Sequence, residues 1–101
     1  MQVKAESIDR KLILHLRGEL DHHAARQLMQ HIARELEYAL PLETELDFSG
    51  VTFMDSSGIA LILRSQQRMQ LLEGSVVLRN IPAQARRVLD AAGIGRLVSI
   101  K

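Results

Sequence analysis

The pattern of apolar and polar residues predicts a chain of alternating strands and helices. Residues 2–7 are predicted to form a first strand. The segment "KLILHLR" (11–17) is predicted to form a second, because its apolar side chains alternate onto one face. The alternating leucines are Leu12, Leu14 and Leu16. A turn at Asp9 and Arg10 separates the two strands, so we expect an N-terminal β-hairpin.

The segment "GELDHHAARQLMQHIARELEYAL" (18–40) predicts the first helix. Its apolar residues recur at helical spacing, namely at Ala25, Leu28, Ile32, Leu36 and Ala39. Asp21 stands just before them, where its carboxylate can accept a hydrogen bond from a free backbone N–H group of the first turn. Pro41 cannot continue a helix, so the helix is predicted to end before it.

A buried strand and a second helix are predicted next. "ELDFSGVTF" (45–53) is typical of a strand, and the helix is expected to run from about Ser57 to Glu73. Gly74 stands where a left-handed C-terminal cap belongs. The positions expected to face inward on this helix are Ile59, Ile62, Leu63, the stem of Gln66, Met69 and Leu72.

The last third of the chain repeats this order. "SVVLRN" (75–80) predicts a strand, Pro82 opens a third helix and Gly93 closes it. "RLVSI" (96–100) predicts a short last strand. The inward positions expected on the third helix are Ala85, Val88, Leu89 and Ala92.

Strands separated by helices are typical of βαβ units, in which each crossover is right-handed. We therefore expect an α/β fold. Its sheet should be small, mostly parallel and flanked by α-helices, with the hairpin at the N-terminus. The 101 residues suffice for one compact domain and not for two, so residues 1–101 are expected to form a single domain.

Composition narrows the classes of function. Aromatic residues make up 3% of the chain, too few for a surface that stacks the bases of single-stranded nucleic acid. The formal net charge is +1 and basic residues are scattered among acidic ones, so neither nucleic acid nor a membrane is an expected partner. The chain has no cysteine, which excludes disulfides, thiolate chemistry and cysteine-based metal sites.

Targeting signals are absent from the sequence. The first ten residues, "MQVKAESIDR", are mixed and polar, unlike a signal or transit peptide. The longest apolar run, Ile59–Leu63, is far shorter than the roughly 20 residues that span a bilayer. We therefore expect a soluble cytoplasmic protein.

Two adjacent serines lie between a predicted strand and a predicted helix, in "LDFSGVTFMDSSGIALIL" (46–63). Asp55, Ser56 or Ser57 can each cap the helix, yet one cap suffices. A hydroxyl at a helix N-terminus lies in a positive local potential, where an added phosphate would be tolerated. Gly58 allows another group to approach closely. The residues alone leave open whether these hydroxyls only cap the helix or serve a function.

Other chemistries fit the residues poorly. A nucleophile elbow has the pattern G-x-S-x-G, which "MDSSG" (54–58) lacks. His22 and His23 are adjacent and would point about 100° apart on a helix. His31 stands outside the i, i+4 spacing of metal-binding helices from both. No phosphate-binding glycine motif occurs. We therefore expect no enzymatic activity, no bound metal and no cofactor.

Two segments together resemble one family, the anti-sigma factor antagonists (anti-anti-sigma factors), which are single STAS domains. They are "GELDHHAA" (18–25) after a strand and "LDFSGVTFMDSSGIALIL" across a strand–helix junction. "NIPAQARRVLDAAGIGRLVSI" (80–100) is similar to the third helix of the family and its approach to the last strand. The likeness covers nearly all of residues 2–100 and is greatest to members that act in sporulation. Members usually carry a further helix after the last strand, which we expect to be missing here.

The resemblance implies a bacterial regulator of transcription. It implies binding to an anti-sigma factor that is also a serine kinase, which releases a sigma factor. The kinase partner binds the ATP and phosphorylates the first serine after the aspartate, here Ser56, and a serine phosphatase removes the phosphate. The alternative is a STAS module without phosphorylation, which serves as a scaffold in another signalling or transport complex.

The two motifs should meet at one surface. Each follows a strand, and the carboxyl ends of parallel strands lie at the same edge of a sheet. We therefore expect a partner-binding surface formed by Asp21, His22, Asp55, Ser56, Ser57 and Gly58.

Overall fold

A computed structural model describes all 101 residues, and its elements follow the predicted order. They are β1 (Gln2–Ile8), β2 (Lys11–Leu20), α1 (His22–Ala39), β3 (Glu43–Met54), α2 (Ser56–Leu71), β4 (Ser75–Arg79), α3 (Ala83–Ala91), a 3₁₀ turn (Ile94–Arg96) and β5 (Ser99–Ile100). The predicted α/β class is confirmed. None of the helices is both long and apolar enough to cross a membrane.

The five strands form one sheet in the order β1-β2-β3-β4-β5. β1 pairs antiparallel with β2, and the other three pairs are parallel. The sheet is therefore mixed rather than mostly parallel. The antiparallel pair is the predicted N-terminal hairpin, in which Ile8 lies opposite Lys11. Asp9 and Arg10 form its two-residue turn with φ of 49° and 63°, the left-handed geometry that suits the twist of a hairpin.

All three helices cover the same face of the sheet. The crossovers from β2 to β5 advance in one direction, and right-handed connections then place every helix on one side. The helices pack side by side, α1 against α2 and α2 against α3. The predicted leucines of β2 point into the resulting core, together with Leu20, Leu46, Phe48 and Leu78. Burying this apolar surface is the main stabilising contribution to the fold.

The other face of the sheet is held by polar contacts. The His15 ring lies between two carboxylates, with Nδ1 2.8 Å from Asp47 Oδ2 and Nε2 2.9 Å from Glu6 Oε2. Hydrogen bonds to Glu6 and Asp47 raise the pKa of His15. Burial by itself would raise the pKa of Asp47. Hydrogen bonds from the Ser49 N–H, from Asn80 and from His15 outweigh burial and lower that pKa to about 2.

The C-terminal end of α2 differs from the prediction at Gly74. The left-handed residue is Glu73, with a φ of 61°, and the Gly74 N–H donates to the Met69 carbonyl at 2.8 Å. The Glu73 N–H donates to the Gln70 carbonyl at 3.0 Å, which completes a Schellman motif one residue earlier than expected. Gly74 serves close packing instead, because a Cβ there would lie 2.5 Å from the Leu42 carbonyl oxygen.

The buried positions of two helices also differ from the prediction. Leu61 and Ser65 of α2 are buried although neither was predicted to be, because α2 packs against α1 as well as against the sheet. The Ser65 hydroxyl donates to the Leu61 carbonyl at 2.8 Å, which satisfies it in the core. Ala92 was expected to face inward and is exposed, since α3 ends at Ala91.

Candidate functional site

The β3–α2 junction is the first part of the candidate site. Asp55 is the N-cap of α2, in an extended conformation, and its Oδ1 accepts the Ser57 N–H at 2.8 Å. The cap is therefore the aspartate and neither of the two serines. Ser56 is the first residue of the helix and is exposed, whereas Ser57 is half-buried. The hydroxyl of Ser56 is thus free of a capping role and open to solvent.

The β2–α1 junction lies directly beside it. Asp21 is the N-cap of α1 as predicted, and its Oδ1 accepts the Ala24 N–H at 2.9 Å. The last residues of the two strands, Leu20 and Met54, are register partners in the parallel pair. The Asp55 N–H reaches the Leu20 carbonyl at 3.4 Å. The two junctions therefore form one continuous edge, as the topology predicts.

Between the two helices a groove opens beside Ser57. It has a volume of about 100 Å³. Its lining residues are His22, Ala25, Arg26, Met29, Ser57, Ala60, Leu61 and Arg64. Arg26 and Arg64 were not predicted to belong to the site. They follow His22 by four residues and Ser57 by seven, so helical spacing carries them onto the facing sides of α1 and α2. The groove is basic, because two arginines and no acidic residue line it.

Gly58 does not lie on the surface where we expected it. It is buried, and a Cβ at this position would lie 2.5 Å from Cγ and Sδ of Met54 and 3.2 Å from Cδ2 of Leu20. The group that approaches Gly58 closely is therefore the buried Met54 side chain. The role of Gly58 at the site is to let α2 begin directly on top of the strand ends.

Two residues near the serines were not predicted from the sequence. Phe53 is 43% exposed although it lies in a strand of the core sheet, and it stands two residues before the cap. Gln84 of α3 contacts the backbone of Met54 twice, with Nε2 donating to the carbonyl at 2.9 Å and Oε1 accepting the N–H at 2.8 Å. No local signal marks Gln84, because its partner is 30 residues away in the chain.

Comparison with known proteins gives one family. The family model described as the STAS domain matches residues 2–101. No match was found among curated proteins.

Solved structures support the same assignment. The anti-sigma factor antagonist SpoIIAA in its unphosphorylated form aligns with a TM-score of 0.85 and 28% identity, over 99% of this chain and 88% of that one. The phosphorylated form of SpoIIAA from Bacillus aligns with a TM-score of 0.75 and 28% identity, over 99% and 91% of the two chains. An anti-sigma factor antagonist from Mycobacterium paratuberculosis shares the fold at a TM-score of 0.84 and 23% identity, over 98% and 83%. The predicted resemblance is therefore confirmed.

Proposed function

The chain belongs to the STAS domain family, and on that premise we propose that it is an anti-sigma factor antagonist switched by phosphorylation of Ser56. It binds an anti-sigma factor that is also a serine kinase and so releases a sigma factor. The kinase supplies the ATP, and a serine phosphatase restores the hydroxyl. The chain itself acts as a binding protein rather than an enzyme. The observation that carries the proposal is an exposed Ser56 beside a cap that another residue already supplies.

The choice of Ser56 over Ser57 rests on exposure. Ser56 is exposed at the first position of α2, where a kinase can reach its hydroxyl. Ser57 is half-buried and its side chain lines the groove against α1. Because Asp55 caps the helix, a phosphate on Ser56 removes no hydrogen bond that α2 needs at its start.

The fold tolerates a phosphate at this place. A phosphoserine carries about −1.5 to −2 charge at pH 7, and the N-terminus of α2 offers a favourable dipole that offsets part of the repulsion from Asp55. The loss of binding then arises at the partner surface, through bulk, desolvation and repulsion. SpoIIAA, which is known in phosphorylated and unphosphorylated forms, aligns with this chain in both, and this supports a domain that keeps its fold when phosphorylated.

The proposed partner surface is the edge formed by the two junctions. Asp21 and Asp55 offer carboxylates, His22 and Ser57 line the basic groove, and Ser56 stands at the rim of the edge. Gly58 supports this surface from below. The exposed ring of Phe53 adds an apolar contact of the kind that is enriched where proteins bind one another.

The decisive experiment is incubation with an anti-sigma factor serine kinase from the same organism, with ATP, followed by mapping of the modified residue. We expect one phosphate on Ser56 in the wild type and none in Ser56→Ala, which retains binding to the kinase. Ser57→Ala is the matched control and should still take up phosphate. Phosphate on Ser57 would overturn the residue assignment. No phosphate on either serine, with binding intact, would instead favour a STAS module that acts without phosphorylation.

A further inference from the structure

β3 extends well beyond its neighbour β4. The two strands pair only from Glu43 opposite Ser75 to Asp47 opposite Arg79, whereas β3 continues to Met54. The C-terminal part of β3, residues 48–54, therefore has β2 on one side and no strand on the other. Backbone groups on that open side need another partner, because a buried N–H or C=O group without a hydrogen bond is costly.

Gln84 supplies this partner at the last residue of the strand. One side-chain amide donates to the Met54 carbonyl at 2.9 Å and accepts the Met54 N–H at 2.8 Å. A primary amide carries one acceptor and two donors, so it can mimic the peptide group of a neighbouring strand. Gln84 stands in the first turn of α3, directly after the N-cap Pro82 and Ala83. Here a helix side chain takes the place of a missing strand.

These two hydrogen bonds hold the chain just before the phosphorylation site. The Met54 N–H is part of the peptide group that joins Phe53 to Met54, and the Met54 carbonyl is part of the peptide group that joins Met54 to Asp55. Because Gln84 binds both peptide groups, it fixes the direction in which the backbone enters the N-cap residue Asp55. Asp55 then fixes the start of α2 through the Ser57 N–H at 2.8 Å, and Ser56 lies between these two fixed points.

We propose that Gln84 is a positioning residue for the phosphate acceptor Ser56, acting through the Met54 backbone; this rests on the proposed function. In the transfer, the Ser56 oxygen attacks the γ-phosphorus of the kinase-bound ATP. The bond to the β,γ-bridging oxygen breaks, ADP leaves and the hydroxyl proton passes to a base of the kinase. The attacking oxygen must be held in line with the bond that breaks, so a loosened acceptor slows transfer more than it weakens binding.

Three variants separate positioning from simple stabilisation. Gln84→Ala removes both hydrogen bonds. Gln84→Glu keeps the acceptor for the Met54 N–H but has no donor for the Met54 carbonyl. Arg87→Ala, an exposed change on the same helix, is the matched control. Each is measured for affinity to the kinase, for the single-turnover rate of phosphate incorporation at saturating kinase, for the thermal midpoint, and for amide hydrogen exchange at Met54 and Ser57.

We expect Gln84→Ala to lower the single-turnover rate about tenfold while the affinity changes less than about twofold. Exchange at Met54 should accelerate about tenfold, and exchange at Ser57 should also accelerate. Gln84→Glu should give an intermediate rate, and Arg87→Ala should match the wild type. A wild-type rate in Gln84→Ala would overturn the inference, as would equal losses in Gln84→Ala and Arg87→Ala.

Failure of the proposed function is distinguishable from failure of this inference. If the wild type takes up no phosphate, the proposed function fails, and the inference is then judged on exchange alone. Unchanged exchange at Met54 and Ser57 in both Gln84 variants would overturn it. Faster exchange at both amides, with the thermal midpoint close to that of Arg87→Ala, would support the positioning of this loop by Gln84.

Discussion

The two strand–helix junctions at the edge of the sheet each have an aspartate as N-cap, and they differ in the residue at the third position of the helix. Asp21 and Asp55 each accept a backbone N–H from the first turn, at 2.9 Å and 2.8 Å. The third helical position is Ala24 in α1 and Gly58 in α2, and both are buried. At Gly58 the side chain of Met54, the last residue of the preceding strand, occupies the space that a Cβ would need, whereas α1 carries the methyl group of Ala24 at the equivalent position.

The second junction also carries a contact that the first lacks. Gln84 binds the Met54 backbone from α3, and we find no side-chain hydrogen bond to the backbone of Leu20, the corresponding residue of β2. A local cap therefore starts both helices, while a side chain from a distant helix binds the strand end only at the junction that carries Ser56. A local cap is enough to start a helix, whereas Gln84 additionally holds the strand end that leads to Ser56.

The largest effect is expected at the buried third position of the helix. Gly58→Ala places a methyl group 2.5 Å from two atoms of the Met54 side chain, so Met54 must shift within the core. We expect the free energy of unfolding to fall by about 1–3 kcal/mol in urea titrations. The reverse change in α1, Ala24→Gly, is the control and should cost about 1 kcal/mol or less. A Gly58→Ala variant as stable as the wild type would contradict the proposal that the second junction requires a glycine because Met54 packs against it.

The next effect concerns charge at the first helical position of α2. Ser56→Asp should weaken binding to the kinase by at least about tenfold, or about 1.4 kcal/mol, through repulsion and desolvation at the interface. Its thermal stability should change little, because the charge lies at a helix N-terminus. Gln67→Asp adds the same charge to an exposed position of α2 about three turns beyond Ser56, outside the proposed surface, and it should leave binding nearly unchanged. If Ser56→Asp unfolds the domain, Ser56 is mainly structural.

The two caps should contribute similar stability. Asp21→Ala and Asp55→Ala are each expected to lower the free energy of unfolding by about 1 kcal/mol, since each loses one capping hydrogen bond. At saturating kinase, only Asp55→Ala should also slow the single-turnover incorporation of phosphate into Ser56, because Asp55 and not Asp21 caps the helix that carries Ser56. Asparagine at either position retains a capping oxygen and should restore most of the stability. Equal slowing by both alanine variants would show that the junctions are coupled rather than independent.

The smallest effect is expected at the hydrogen bonds that His15 forms between neighbouring strands of the sheet. His15 of β2 binds Asp47 of β3 and Glu6 of β1, and these hydrogen bonds raise the pKa of His15 in the folded state. The stabilisation is complete below about pH 6.5, the pKa of an unperturbed histidine, and is lost as the pH rises through the higher folded-state pKa. Because His15 is partly exposed, we expect less than about 1 kcal/mol.

The measurement is the difference in urea midpoint between the wild type and His15→Gln from pH 5 to 9. Taking the difference cancels the contributions of the titratable groups that the two proteins share. The advantage of the wild type should shrink as the pH rises. An advantage that grows with pH would contradict the proposed charge state. The His15→Gln variant should incorporate phosphate into Ser56 at the wild-type rate at each pH, because Gln84 and not His15 holds the junction.

The sequence predicted what depends on neighbours in the chain. Alternating leucines identified β2, helical spacing identified α1, and both capping positions were recognised, although only the structure showed that Asp55 rather than a serine caps α2. The proximity of the two junctions followed from the rule that parallel strands end at one edge. The resemblance carried by the two motifs then led to the family, which the comparisons confirmed.

The Gly74 prediction shows where local reasoning fails. A glycine after a helix is typical of a left-handed cap, yet Glu73 has that conformation and Gly74 is required by the Leu42 carbonyl of another segment. Gln84 and the His15–Asp47 pair are similar cases, because they join residues 30 and 32 positions apart. The periodicity of the sequence cannot predict such pairs, because they come together only when the strands have paired in register.

The sequence by itself determined the order of the elements, the places where helices start and the serine that stands after the aspartate, because each depends on groups within a few residues. Tertiary structure decided how that serine is held. β4 ends before β3 does, so the last strand residue before the cap needed a partner, and the packing of α3 brought Gln84 to it. Hydrogen bonds between distant residues depend on the register and packing of whole elements, which the local pattern does not encode.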